Sequence, residues 1–443
     1  MRIVFSIFLI FGLATIGVAA EASRTFTAEN GNSTVEAQLM EVVENARGQS
    51  LAVLRRNRDG VLLTVPISSL SKADQEYVAA RKRYVTAPEL AGRWTLERRL
   101  ARLRAAGVDE ASESAVSRSL AWLTQKQNAD GSWGDLHPCA MTAFCLLAMS
   151  GHGETLDHPE RGAVMRRGVE FLLKTAEGNR VPPTFAGVFS TKPKELSSTY
   201  EHAIATLALA EIMVADGTSP GAGPALEKAL DRIVKSQGSK GLWGYKQGLG
   251  YAMDGGTDLS LSHWQVQVQA LAMAEKVSAN RTRLRPALNK AGAAFVQRRV
   301  PGQGFGRSDK EGHYNQWGLT GSSAWALRLT GLPTRNVDTA SAVDWLLNQE
   351  KTSGASWDQD CQLYAWLFNA CAFYQSGGPA WTWWRETRLP QIPAAQLPDG
   401  SFRAEQCGPM RAGGSAAAGS DAGLYRTCLA ALMLEVPYRY DPD

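Results

Sequence analysis

Two kinds of helical segment alternate through the last three quarters of the chain, and no other feature constrains the fold as much. The first kind carries one apolar stripe and a charged face, and ends in glutamine or a basic residue: LAWLTQKQ, VEFLLK, LDRIVKSQ, AAFVQRR and AVDWLLNQ. The second kind is small and apolar nearly all round: TAFCLLAMSG, HAIATLALAE, WQVQVQALAMA, TGSSAWALRLTG, YAWLFNACAF and TCLAALMLEV. Their first residues are Thr142, His202, Trp264, Thr320, Tyr364 and Thr427, separated by 60, 62, 56, 44 and 63 residues. Each interval holds one two-helix hairpin with its loops. A helix that is apolar on every side must be buried on every side, whereas a striped helix covers a core with one face. Six inner helices ringed by six outer ones satisfy both patterns, and the ring closes when the last hairpin packs on the first. The expected fold is therefore mostly α, a single (α/α)6 toroid of six helical hairpins over residues 114–443. An open linear solenoid is the other arrangement the pattern allows.

Most striped helices run into a glycine–aromatic turn: QNADGSWG, QGSKGLWGY, GQGFG, SGASW and QLPDGSF. Glycine lets the chain leave the outer helix. The aromatic ring is expected to pack under the next inner helix, and the glutamine amide to cap exposed backbone groups. Trp381, Trp383 and Trp384 can reach two faces of one outer helix and read as part of the ring closure, with an exposed partner-binding patch as the alternative.

The N-terminal part has a different pattern. Met1–Arg2, an apolar run from Ile3 to Val18 and the small residues Ala19–Ala20 read as an export signal over residues 1–20, with an uncleaved membrane anchor as the other reading of the same run. Such a protein is expected in the periplasm or outside the cell, with no membrane span once the signal is removed. Residues 23–80 alternate with a strand period, and Asp59–Gly60 between SLAVLRR and VLLTVPI signals a hairpin. Ser71 is placed to cap a short helix. Four or five strands in so short a stretch suggest a small SH3-like β-barrel. Residues 81–113 form a basic helical linker, whose arginines read as a solvated face.

These motifs carry two resemblances. The Gln-Gly-Trp turns resemble the repeat signature of the squalene cyclase and prenyltransferase superfamily, which implies its α/α toroid for residues 114–443. YEHAIATLALAE, SHWQVQVQAL, NQWGLTG and LYRTCLAALMLEVPYRYDP look like a secreted bacterial branch of it. Arg24-Thr25-Phe26, VEAQLMEV, VPISSL and LSKADQEYV resemble the first Sla homology domain, which implies a short peptide as partner.

The chemistry implied by the superfamily is then tested against the residues. Class II cyclases protonate an alkene with an Asp-x-Asp-Asp-Thr run; the nearest stretch here is Asp254 to Asp258, followed by His263 and Trp264. Prenyl synthases need an aspartate-rich magnesium motif, and the chain has no DDxxD. Protein prenyltransferases hold zinc with Asp, Cys and His. Here Glu311 and His313 fall on the first two ligand positions, and Arg426 stands where the third motif needs histidine. Glu201, His202, Asp258, His263 and Asp360 lie at or just before inner-helix N-termini, which favour anions and place these groups on one rim. Tyr200, Trp264, Trp317, Tyr364 and Trp366 add aromatic surface there, as a sugar or isoprenoid site would require.

The charge balance, 47 basic against 43 acidic residues, is too even and too dispersed for a nucleic-acid partner. The six cysteines show no CxxC pair and no disulfide framework; any disulfide should join different hairpins, with Cys407 its foremost candidate member. The expectation is an exported, non-catalytic binding protein holding an apolar or glycan ligand at the toroid mouth, with no cofactor. A cyclase-like, prenyltransferase-like or polysaccharide-acting enzyme using Glu201, His202, Asp258 and His263 is the alternative. A peptide-binding adaptor acting through the N-terminal module is a third.

Overall fold

A computed structural model describes residues 23–44, 49–59, 61–86, 92–178, 187–195, 197–216, 221–243, 262–275, 278, 281–306, 316–331, 337–359, 361–403 and 419–440. The described chain is mostly helical, with one small antiparallel sheet. Among the described residues no helix is long and apolar enough to cross a membrane.

The sheet is a meander of β1 (Arg24–Thr27), β2 (Thr34–Glu44), β3 (Ser50–Arg56) and β4 (Leu62–Pro66), in the order β1-β2-β3-β4. A register shift between Leu39 and Glu41 bends β2, and an isolated bridge joins Ala28 to Leu70. Phe26, Ala37, Leu54 and Val78 form a core of their own. Helix α1 (Lys72–Thr86) starts where Ser71 Oγ accepts the Asp74 N–H at 3.2 Å. The buried Asp74 carboxylate in turn accepts from Thr27 N–H, Ser71 Oγ and Arg24 Nε, pinning helix to sheet.

The linker meets the expected solvated face only in part, with Arg98 and Arg104 exposed. Helix α2 (Leu96–Ala105) is followed by α3 (Ala111–Gln125), and Arg93 and Arg99 are buried. Arg93 pairs with Glu211 at 2.8 Å and Arg99 with Glu113 at 2.7 Å. Arg93 looks solvated in sequence because its counter-ion, Glu211, lies 118 positions away.

The repeat region supplies six apolar helices: α4 (Pro138–Gly151), α6 (Ser198–Asp216), α8 (Ser262–Ala274), α10 (Gln316–Leu329), α12 (Leu363–Ser376) and α15 (Ala422–Arg439). Between them run α5 (Gly162–Gly178), α7 (Ala222–Lys235), α9 (Leu284–Gln297), α11 (Val337–Thr352), α13 (Gly378–Thr387) and the single turn α14 (Gln391–Ala394). Each apolar helix packs on the next in order, and α15 packs on both α12 and α4, so the series of contacts returns to its start.

The turns hold this arrangement by a repeated device. Gln127 Nε2 donates to Gly131 O at 3.0 Å and to Val164 O of α5 at 2.8 Å. Gln237 does the same to Gly241 O and Ala287 O of α9, and Gln396 to Gly400 O and Ala115 O of α3. The amide therefore ties its own turn to the following outer helix rather than capping the helix it ends. Trp133 and Trp243 are buried, and their indole N–H groups donate back to Leu123 O and Ile233 O, each at 2.7 Å. Trp381 Nε1 donates to Ala106 O at 2.8 Å, joining the tryptophan-rich helix α13 to the loop between α2 and α3.

Candidate functional site

A cavity, partly open to solvent, lies among the apolar helices. Phe144 and Leu147 of α4 line it, with Ile204 and Leu207 of α6, Gln269 of α8, and Tyr364, Leu367, Phe368 and Cys371 of α12. Leu432 and Arg439 of α15 and the following Tyr440 complete the lining. The all-round apolar character of these helices produces it: one face packs on the neighbours and another is left toward the centre. Gln269 is 9% exposed, and among the described residues its amide nitrogen has no hydrogen-bond partner. Burial pushes the Cys371 thiol up to about 12, which keeps it protonated.

Charged groups close one end. Arg439 lies at the last turn of α15, where its guanidinium donates to both carboxylate oxygens of Glu211 (2.8 and 2.7 Å), to Glu435 at 3.0 Å and to Leu147 O at 2.8 Å. Arg93 donates to the same Glu211 and to the Arg439 carbonyl. All four side chains are buried. Burial raises the Glu435 carboxyl to about 8 despite Arg439 beside it. Burial also opposes the charge on Glu211, but Arg439 and Arg93 outweigh it and hold Glu211 below the ordinary value. The Tyr440 ring meets Trp325 of α10 edge-on at 4.7 Å.

Beside this end, His152 lies between Glu113 (2.9 Å) and Glu154 (3.1 Å). Burial works against its protonation, but hydrogen bonds to both carboxylates win and raise its pKa. His158 and Arg161 also bind Glu154, at 2.7 and 2.8 Å.

At the other end, the N-termini of α4, α6 and α15 meet. Asp421 accepts backbone N–H groups from Asp135, Leu136 and His137. Glu201, in the first turn of α6, is 1% exposed and lies 3.6 Å from His137 Nδ1, longer than a direct hydrogen bond. The carboxylate raises the His137 pKa. Sequence reasoning singled out Glu201 and did not count His137 among the site residues. The available signal was the position of His137, immediately before the proline that starts α4.

His202 is not a rim group open to a ligand. It is 2% exposed, its Nδ1 accepts the Phe189 N–H at 3.3 Å, and its Nε2 lies 3.3 Å from Ala229 O. Nδ1 as acceptor fixes the tautomer with the proton on Nε2, which then donates to that carbonyl. At the equivalent repeat positions, Thr142, Thr320 and Thr427 accept the N–H groups of Trp133, Phe305 and Phe402 through their hydroxyls. His202 therefore does a threonine's structural task. Burial, then the Arg232 charge, pushes its pKa down to about 3, so the ring stays neutral.

Trp366 does not face the cavity either. It is fully buried beside Trp357 and Trp384, with the Arg388 guanidinium 5.4 Å from its ring centre. Tyr200 is partly buried against the core, and Tyr364 is the one aromatic of the expected set seen lining the cavity among the described residues. His263 and Trp264 fall on α8 and Trp317 on α10, with side chains outside the described set. Asp258, Glu311, His313, Asp360 and Cys407 lie outside the described residues. Among the described residues no group of three or more His, Cys, Asp or Glu could hold a metal.

No family model matches the chain. No curated protein matches it in sequence. Among solved structures, one similar chain is a protein from Actinoplanes, 16% identical, covering 74% of this chain and 99% of its own, with a TM-score of 0.43. Another is the type II terpene cyclase MstE from Scytonema in its apo form, 16% identical, covering 67% of this chain and 82% of its own, with a TM-score of 0.41. Likenesses this loose say nothing about the site.

Proposed function

We propose that the helical hairpins form a six-hairpin (α/α)6 toroid, and that the chain is a binding protein whose central cavity holds an apolar ligand bearing one hydrogen-bond acceptor. The observation that carries this reading is the Gln269 amide nitrogen, buried without a partner among the described residues in a wall otherwise built mainly of Phe, Leu, Ile and Tyr. A buried unpaired donor costs about 1–3 kcal/mol, and a ligand oxygen there would recover it. The aliphatic lining favours an isoprenoid-like chain over a glycan, which needs many polar partners. Arg439 is saturated by Glu211, Glu435 and Leu147 O, so the acceptor need not be an anion. Exported by residues 1–20, the protein would meet such a ligand outside the cytoplasm. The bridge between Ala28 and Leu70 supports a barrel-like N-terminal module, which would serve as a tether for a short peptide or the envelope.

The test is solvent extraction of the natively purified chain with mass spectrometry, followed by displacement of the fluorescent probe N-phenyl-1-naphthylamine by farnesol. Leu207→Trp should abolish probe binding by filling the cavity. Gln269→Leu should weaken farnesol about tenfold while leaving the probe, which has no oxygen acceptor, within about twofold. Equal probe binding by the unaltered chain and Leu207→Trp would sink the reading.

One observation favours the enzymatic alternative: the buried Glu201 carboxylate beside His137 at the opposite end. Product formation from an incubated polyprenyl substrate, lost in Glu201→Gln, would support it over simple binding.

A further inference from the structure

The first and last apolar helices meet through two thiols. Cys145, midway along α4, and Cys428, in the second turn of α15, place their sulfurs 3.6 Å apart, and both side chains are fully buried. The two residues are 283 positions apart in sequence, and their helices are neighbours because the series of helix contacts closes. Sulfurs at that distance are in van der Waals contact. A small torsional change with a slight approach of the helices brings them to the bonding distance of about 2 Å.

We propose that Cys145 and Cys428 form a disulfide that locks the seam between the first and last hairpins. The oxidant is a disulfide, either glutathione disulfide or a protein disulfide carrier. One thiol loses its proton and attacks the oxidant, forming a mixed disulfide and releasing one thiol of the oxidant. The second cysteine, likewise deprotonated, attacks the mixed disulfide and releases the other. The two cysteines thus give up two protons and two electrons, and the oxidant becomes two thiols.

The surroundings dictate when this happens. Burial, then the partner sulfur, holds the Cys145 thiol well above its ordinary value, so it is a poor nucleophile once the ring has closed. The bond therefore forms while the seam is still open, during folding, and closure then shields it from reductants. A bond spanning so long a loop restricts the unfolded chain strongly, which makes the seam an effective place for it.

The full chain, reduced and denatured, is refolded in a glutathione redox buffer, quenched with acid, alkylated and mapped without reduction. The expected product is the peptide carrying Cys145 linked to the peptide carrying Cys428. Its melting temperature should lie about 5 °C above that of the same protein refolded in excess reductant. Cys428→Ser should lose that difference, with Cys145 inert to alkylation until the protein is denatured. The proposal is overturned if protein with native circular dichroism carries the alkyl label at both positions, or links either cysteine to a different one. Equal melting temperatures for the two refolded forms also overturn it. If Cys428→Ser does not fold, the peptide map and melting comparison of the unaltered chain decide the matter.

Discussion

The side-chain amide of Gln396 donates to the main-chain carbonyl of Ala115 over 2.8 Å, joining residues 281 positions apart. Its partners match those of Gln127 and Gln237, which bond their own glycine turn and the next outer helix. The seam between the last and first hairpins is therefore built like any internal repeat contact. Gln396→Ala should cost about 0.5–1.5 kcal/mol, the net worth of the lost hydrogen bonds, because Gly400 O keeps Ser119 Oγ as a donor. Gln127→Ala should cost a similar amount, but only Gln396→Ala should speed proteolysis near the C-terminal helix. Urea titration and timed digestion check both.

The glycines of these turns are expected to resist substitution. Gly131, Gly241 and Gly400 have φ of +90°, +88° and +91°, and a Cβ on each would sit 2.4, 2.3 and 2.3 Å from the carbonyl oxygens of Arg167, Lys290 and Arg118. Gly302 has φ +70° with open space around it. Alanine at Gly302 should cost about 1 kcal/mol from backbone strain alone, and at Gly241 at least twice that, since backbone must move. Equal melting temperatures for the two variants would refute the close-approach argument.

Acid should destabilise the fold partly through His202. Its folded-state pKa of about 3 lies below the ordinary 6.5, so the unfolded chain binds the extra proton between those values. Stability is fully present above pH 6.5 and falls as pH drops, at up to about 1.4 kcal/mol per pH unit for one such group. His202→Thr, which places at this position the residue used at 142, 320 and 427, should flatten that slope. Chemical denaturation at a series of pH values between 4 and 7 measures it; an unchanged slope would count against the buried neutral imidazole.

His152 has the opposite sign. Its pKa is raised in the fold by Glu113 and Glu154, so its contribution is present below pH 6.5 and is lost as pH rises through the folded-state value. His152→Gln should remove the alkaline loss while leaving the slope due to His202, an outcome the same denaturation series carried on to alkaline pH would reveal.

Glu211 joins the linker to the end of the last helix, since Arg93 and Arg439 both donate to it. Glu211→Gln should cost about 3–5 kcal/mol, because two buried guanidiniums lose their shared counter-charge. Far smaller losses in a thermal melt would mean that water reaches this end of the cavity.

The helices, the boundaries of the apolar segments and the glycine turns were legible in the linear chain, because hydrophobic period, small-residue content and turn chemistry act over a few residues. Ser71 as a helix cap and the hairpin at Asp59 belong to the same class. Other features rest on pairs brought together from far apart in the chain: Gln396 with Ala115, Cys145 with Cys428, Arg93 with Glu211. For that reason Arg93 and Arg99 looked solvated, Trp366 looked available, and His202 looked like chemistry. A side chain's burial and pKa depend on which distant groups pack around it, and that arrangement exists only once the helices have docked.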